Sequence, residues 1–332
     1  MKVLVVAPNW IGDALMAQPA LRLIARRPED KIVALAPSWV APVLRAMPEV
    51  DRVLETDLRH GKMQLRARFA LAQTVRSMRF EKVFILPNSL KSRLIPWLAG
   101  VPKRIGYRGE ARGALLTLAP PDPDQSLPMS ERYRRLVDPG APDSGAPRLL
   151  VSPQSSIEAL AKFAISPSFP IIAICPGAEF GPAKRWPAHH YARLAEQLHA
   201  QDETAQLLVL GGSGDRQVAQ AIASTSRAPL RVLAGATSLE EVMAIIAVSS
   251  SVVSNDSGLM HIAAALGRPQ VAIFGSSDPR HTPPASARAQ VVWLHLDCSP
   301  CFARVCPLGH LNCLNQIEPD QVQAALAQAM AP

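Results

Sequence analysis

The stretch "VVSNDSGLMHIAAALGRP", residues 252–269, sets four small or polar residues, Asn255-Asp256-Ser257-Gly258, between a β-branched run and an apolar helical pattern. It predicts a buried strand over 251–255, with Asp256, Ser257 and Gly258 in the turn and at the start of the next helix. The unpaired backbone N–H groups and the dipole of a helix N-terminus favour an anion. Gly258 would let a phosphate approach the backbone. Asp256 would repel a phosphate set directly against it, so its carboxylate is better suited to accept hydrogen bonds from the hydroxyls of a sugar joined to that phosphate. Taken alone, the same residues are equally well explained by plain N-capping, worth about 1 kcal/mol.

The strand–turn–helix unit recurs along the chain. "KVLVVA" (2–7), "KIVALA" (31–36), "DRVLE" (51–55) and "KVFILP" (82–87) read as strands, with helical patterns over 13–27, 39–47 and 62–79. After a break, "PIIAICP" (170–176), "AQLLVLGG" (205–212), "LRVLAG" (230–235), "SVVSN" (251–255) and "QVAIFG" (270–275) resume the alternation. Strands buried on both faces and separated by helices imply parallel sheets with right-handed crossovers. The break, 119–142, is rich in proline and acidic residues and lacks a periodic pattern. The expected fold is α/β, two Rossmann-like, doubly wound parallel-sheet domains over 1–155 and 156–332, with a last helix that could pack back on the first domain. Ligands of such domains sit at the carboxyl ends of the strands, here expected to face a shared cleft.

Composition agrees with two globular domains: 332 residues exceed what one core usually organises, and 48% hydrophobic residues suffice for two. Charge is uneven. Residues 1–150 carry 24 basic and 14 acidic side chains, whereas 151–332 carry 11 and 13. The first half looks built to meet something anionic, such as nucleic acid, an acidic membrane surface or an acidic small acceptor, although a solvated basic face gives the same count. No apolar run approaches the roughly 18 residues of a membrane span, and "MKVLVVAPNWIGD" reads as a first strand rather than a signal. Five cysteines, an odd number without a secretion signal, suggest reduced thiols in a cytoplasm.

Three further strand ends bear functional groups. "ICPGAEFGPAKRWPAHHYARLAEQL" (174–198) leaves its strand through Gly177 and Ala178 and delivers Lys184 and Arg185 just before a helix, a backbone-and-lysine cradle for a diphosphate. It lacks the Walker spacing, and the G-x-G-x-x-G dinucleotide fingerprint follows neither half's first strand. "LLVLGGSGDRQVA" places Asp215 behind Gly211, Gly212 and Gly214, where a carboxylate suits a ribose diol. "VVAPNWIGDALMAQPAL" sets Asp13 at the start of an apolar helix, as a general base or as a simple N-cap.

Taken together, "NWIGDALMAQPAL", "LPNSLKSRLIPWLAGVPKRIGYRGEAR", "CPGAEFGPAKRWP" and "NDSGLMHIAAAL" resemble the ADP-heptose:lipopolysaccharide heptosyltransferases of glycosyltransferase family 9, in particular the heptosyltransferase II group. The resemblance implies the two-domain GT-B fold. It also implies transfer of L-glycero-D-manno-heptose from ADP-heptose to the first heptose of the lipopolysaccharide inner core, with inversion and no cofactor or catalytic metal. Asp13 then corresponds to the base that deprotonates the acceptor hydroxyl, and Lys184 to the diphosphate ligand. Asp256, Ser257, Gly258 and His261 correspond to the donor-binding turn, with Gly177, Ala178 and Asp215 beside it. The acceptor, heptosyl-Kdo2-lipid A, is acidic, and Asn88, Lys91, Arg104, Arg108 and Arg112 are the residues expected to meet it. The implied location is cytoplasmic, at most peripheral on the inner membrane. A heptosyltransferase with another core acceptor is the nearest alternative, and a GT-B-like sugar-nucleotide epimerase a more distant one.

Two stretches lie outside that scheme. "DCSPCFARVCPLGHLNCLNQI" (297–317) spaces Cys298, Cys301, Cys306 and Cys313 as C-x2-C-x4-C-x6-C, which suits a structural zinc or, equally, reduced thiols in a surface loop or an occasional disulfide. "KMQLRARFALAQTVRSMRF" (62–80) places Leu65, Phe69, Ala72 and Met78 on one helix face and Arg66, Arg68, Arg76 and Arg79 largely elsewhere, the pattern of an ordinary amphipathic helix or of one that touches anionic lipid. A nucleic-acid binder is disfavoured, because the basic residues are not interleaved with aromatics.

Overall fold

In the computed structural model, which describes residues 1–58, 63–111 and 113–331, the first β-branched run is strand β1 (Lys2–Val6). With β2 (Lys31–Pro37), β3 (Arg52–Thr56), β4 (Lys82–Ile85) and β5 (Lys103–Ile105) it makes a five-stranded sheet of order β3-β2-β1-β4-β5. All pairings are parallel, and Val5 of β1 stands opposite Ala34 on one side and Phe84 on the other. Val3, Leu4 and Val5 are buried on both faces, so no polar alternation survives in β1.

The helices of this sheet are α1 (Ile11–Met16), α2 (Gln18–Ile24), α3 (Ala41–Arg45), α4 (Leu65–Ser77), α5 (Leu90–Leu98) and α6 (Met129–Val137). The single helix expected over 13–27 is two, because Pro19 has no N–H to continue the ladder and instead opens α2. Helix α6 lies inside the proline-rich break and packs on α2. On α4 the expected apolar face is corrected. Arg68, Ala72 and Val75 turn inward, Met78 is half-buried, and Leu65 and Phe69 are exposed. The buried guanidinium of Arg68 is accommodated because it donates to the carbonyls of Met63 (2.7 Å) and Lys91 (2.8 Å). Lys62, at the start of that expected helix, lies outside the described residues.

The second sheet contains β6 (Ile171–Cys175), β7 (Gln206–Val209), β8 (Leu230–Val232), β9 (Ser251–Asn255), β10 (Gln270–Ile273) and β11 (Ala289–Val292), all parallel in the order β11-β10-β9-β6-β7-β8. Its helices are α7 (Pro153–Lys162), α8 (Ala188–Gln201), α9 (Arg216–Thr225), α10 (Leu239–Val248), α11 (Gly258–Ala265), α12 (Asn312–Asn315) and α13 (Pro319–Met330). Helix α13 packs on α8, β10 and β11. Trp186, fully buried among Ile174, Tyr191 and Leu314, donates its indole N–H to Ile317 O at 2.9 Å. The chain divides into two compact units, Met1–Pro147 and Arg148–Pro332, each with one of these sheets. Among the described residues no helix is long and apolar enough to cross a membrane.

Candidate active site

Strand β9 ends on Asn255, whose side chain is fully buried and makes three hydrogen bonds. Its Oδ1 accepts from the Trp186 backbone N–H (3.0 Å) and from Tyr191 Oη (3.0 Å), and its Nδ2 donates to Pro176 O (2.7 Å). One amide thereby ties the end of β9 to the loop leaving β6 and to the start of α8. A buried polar group of this kind fixes local geometry, because every alternative strands a donor or acceptor.

The next residue, Asp256, is the centre of the site. Its Oδ2 pairs with Lys184 Nζ, from the loop after β6, and accepts Ser277 Oγ at 2.5 Å, from the loop after β10. Three strand ends thus converge on one carboxylate. The capping explanation does not hold: α11 opens at Gly258, no side chain caps it, and Ser257 Oγ faces Ser254 Oγ at 3.1 Å. The two side chains of the pair are 16% (Lys184) and 5% (Asp256) exposed, so the ammonium cancels a carboxylate that would otherwise repel a phosphate. An ammonium has three donors, so Lys184 can hold Asp256 and an anion together. Its Nζ also lies 5.0 Å from the centre of the Phe180 ring, with the Arg304 guanidinium 5.2 Å from the same ring.

His261, one turn into α11, is buried against this pair. Burial pushes its imidazole down to about 4, with Asp256 opposing and Lys184 adding to the shift. It is neutral at pH 7. An unfolded histidine takes up its proton near 6.5, so this group's contribution to stability is complete above that pH and is lost as the pH falls toward 4. Histidine NMR titration should find one imidazole with no change between pH 8 and 5, absent in His261→Gln. If all eight histidines titrate near 6.5, the buried placement is wrong.

Beside this group, a Cβ on Gly177 would come within 2.4 Å of the Asp215 carboxyl, and one on Gly211 within 2.9 Å. The missing side chains let Asp215 lie against the ends of β6 and β7, where it accepts the Gly212 N–H at 3.0 Å. Ala178 is buried, and its carbonyl takes Arg185 Nη2 at 3.2 Å.

The first unit holds a cavity of about 230 Å³ at the ends of β1 and β4, lined in part by Asp13, Asn88, Tyr107, Arg132 and Tyr133. Asp13 is half-buried in the first turn of α1, where the dipole favours its charge, and it is not the N-cap, which is Trp10. Burial raises the Tyr133 phenol far above its usual value, with the Asp13 carboxylate as the next cause. Burial also pushes Tyr107 up to about 12, and its hydroxyl donates to Arg132 O at 2.7 Å. The cavity therefore sets one carboxylate among phenols that stay protonated.

Of the expected acceptor residues, Asn88 lines the cavity. Arg104 donates to the carbonyls of Val101 (2.6 Å) and Leu115 (2.7 Å), and Arg108 to Ala119 O (3.2 Å); neither lines it. Lys91 lies in the first turn of α5, and Arg112 is outside the described residues. Sequence reasoning missed Ser277, Asn255, the two tyrosines and above all Arg93. This arginine is 1% exposed and donates to the carbonyls of Arg108 (2.7 Å), Tyr107 (3.1 Å) and Ala114 (3.2 Å), knitting the loop after β5 to the cavity rim.

Known proteins resemble this chain in sequence and fold. The description "Glycosyltransferase family 9 (heptosyltransferase)" fits residues 68–312. The chain is 41% identical over 309 residues to lipopolysaccharide heptosyltransferase 2 of Escherichia coli, covering 89% of this chain and 88% of that one. It is 40% identical over 310 residues to lipooligosaccharide heptosyltransferase 2 of Haemophilus influenzae, covering 89% of each. The solved structure of E. coli ADP-heptose lipopolysaccharide heptosyltransferase II superposes with a TM-score of 0.88 at 38% identity, covering 99% of this chain and 98% of that one. With two parallel-sheet α/β units of five and six strands and relatives this similar over most of its length, the chain belongs to glycosyltransferase family 9, the heptosyltransferases, and has their GT-B fold.

Proposed function

We propose that this glycosyltransferase moves L-glycero-D-manno-heptose from ADP-heptose to the first heptose of the lipopolysaccharide inner core, as heptosyltransferase II, with inversion and without a catalytic metal. The observation that carries the reading is the convergence of Lys184, Ser277 and Asp256 at three strand ends beside the N-terminus of α11. In it Lys184 and the helix N-terminus hold the diphosphate, Asp256 orients sugar hydroxyls, and Asp215 meets the ribose. Asp13 takes the proton of the acceptor hydroxyl as that oxygen attacks the anomeric carbon, and ADP leaves from the opposite face. The charge that develops on the leaving diphosphate is met by Lys184 and the backbone donors, the part a divalent ion plays in other transferases. ADP release should depend on heptosyl-Kdo2-lipid A and persist in EDTA. Release at the same rate without acceptor would reject transfer, and loss of turnover restored only by Mg²⁺ or Mn²⁺ would reject the metal-free reading.

The acceptor also accounts for the charge of the first unit. Leu65 and Phe69 of α4 and Leu90 and Trp97 of α5 are 60%, 55%, 40% and 46% exposed. Arg68 Nη1 bonds Lys91 O (2.8 Å) and Arg76 Nη2 bonds Leu98 O (2.6 Å), which holds the two helices side by side and parallel. Arg66, Arg76 and Arg79 are exposed on α4 and just past its end, and α5 starts two residues after Asn88 of the cavity. An anionic bilayer bearing the lipid anchor of the acceptor fits that mixture of apolar and basic groups. Vesicles of phosphatidylglycerol should sediment the protein and vesicles of phosphatidylcholine should not. Phe69→Ser with Trp97→Ser should weaken that binding and leave turnover of a lipid-free acceptor unchanged; sedimentation with neither vesicle would remove the membrane from the account, and equal binding to both would remove the anionic preference.

A further inference from the structure

Between β10 and α12 the described chain has one short strand, β11; Val292, Leu294 and Leu296 pack on the core, but beyond them Phe302, Val305 and Leu308 are 56%, 67% and 60% exposed. Yet this segment supports the donor site. Arg304 O accepts the Ala183 N–H at 3.1 Å, next to Lys184, and Phe302 N–H donates to Ser276 O at 2.7 Å, next to Ser277. A Cβ on Gly181 would come within 2.4 Å of Arg304 O, so the lysine loop lies directly on the backbone between Cys301 and Cys306.

We propose that Cys298, Cys301, Cys306 and Cys313 bind one thiophilic metal ion, zinc or iron, that clamps this segment beneath Lys184. All four cysteines line a single void of about 20 Å³, with Ala183 and Ser276 in its wall. None is in a disulfide. The C-x2-C spacing of Cys298 and Cys301 lets one turn supply two sulfurs to the same ion. Around Cys306 the turn "CPLGH", with Gly309 at φ +73° and its N–H donating to Cys306 O at 3.2 Å, folds the backbone tightly back on that cysteine, as a turn that presents a thiolate to a metal does. His310 Nδ1 is engaged by the Asn312 N–H at 3.0 Å, so the set is best read as four thiolates. Among the described residues no three such side chains already converge as ligands, so binding requires rotation of cysteines that face one void. Four thiolates round one ion is the tetrahedral set of a closed structural site, and it takes no part in the chemistry proposed for the transferase.

The full chain, purified anaerobically under reducing conditions, should hold close to one equivalent of zinc or iron, and elemental analysis decides which. Cys301→Ser and Cys306→Ser should each lose most of it. Replacement by Co²⁺ should give the intense visible bands of a tetrahedral site and a thiolate-to-cobalt charge-transfer band. The stripped protein should melt at lower temperature and bind ADP several-fold more weakly, both recovered on adding Zn²⁺ or Fe²⁺. Protein without bound metal whose melting and ADP affinity ignore both ions would overturn the proposal. So would a disulfide among the four cysteines in freshly reduced protein, or metal retained undiminished by both serine variants. Metal content does not depend on the transfer reaction, so failure of one reading leaves the other standing.

Discussion

Asp13→Asn should lower turnover by roughly 10²–10⁴ while the affinity for ADP-heptose barely moves. Asparagine keeps the size of the side chain but cannot take the proton of the acceptor hydroxyl. The donor contacts proposed above all lie in the second unit, on the loops after β6, β7, β9 and β10, so the substitution should leave them intact. If Asp13 serves only α1, the change should cost a few tenths of a kcal/mol of stability and leave the rate alone, because a neutral amide gives up only the interaction with the helix dipole. Near wild-type turnover at saturating donor and acceptor would therefore remove Asp13 as the base. Its loss of charge should also ease ionisation of the Tyr133 phenol, which the carboxylate opposes.

The second large effect concerns Lys184→Ala. Removing a charge-assisted contact to a diphosphate should weaken ADP binding by about 1.5–3 kcal/mol, some ten- to more than a hundredfold. The structure adds a cost in stability, since the carboxylate of Asp256 would be left almost buried, with the hydrogen bond from Ser277 Oγ but without its ammonium partner. Breaking a buried pair on one side costs on the order of 3–5 kcal/mol, an upper figure here because the lysine is partly solvated. Adding Asp256→Asn to the alanine variant should restore much of the melting temperature, since a neutral amide can still accept from Ser277 Oγ, and should not restore ADP affinity. Unchanged ADP affinity by calorimetry in Lys184→Ala would take the lysine out of the donor site.

The parallel sheets were legible because a strand buried on both faces is a nearly unbroken apolar run: among the described residues β1, β2, β4, β6, β7, β9 and β10 announce themselves in this way, and the half-exposed edge strands β3 and β8 by the place they take in the alternation. The other two, β5 ("KRI") and β11 ("AQVV"), are edge strands, short and polar, and carry no such run. Helix α5 was hidden by Pro96, which reads as a helix breaker, and α6 by the prolines around it. At the site, Lys184 and Asp256 could be picked out singly as strand-end residues. Their pairing across 72 positions could not, and neither could Ser277, which only the sheet order places beside them. Arg93 was illegible for the same reason: in a chain with 35 basic side chains, nothing local separates a buried arginine that binds four carbonyls from one that meets solvent.

The central claim is heptosyl transfer onto a core that already bears one heptose. It is tested most directly by mass analysis of core oligosaccharides after incubation with ADP-heptose, using acceptors that carry zero, one or two heptoses. The once-heptosylated core should gain the mass of a single heptose, and the other two should not change. Equal or preferred extension of the heptose-free or the twice-heptosylated core would contradict the claim, as would consumption of ADP-heptose with no acceptor gaining mass.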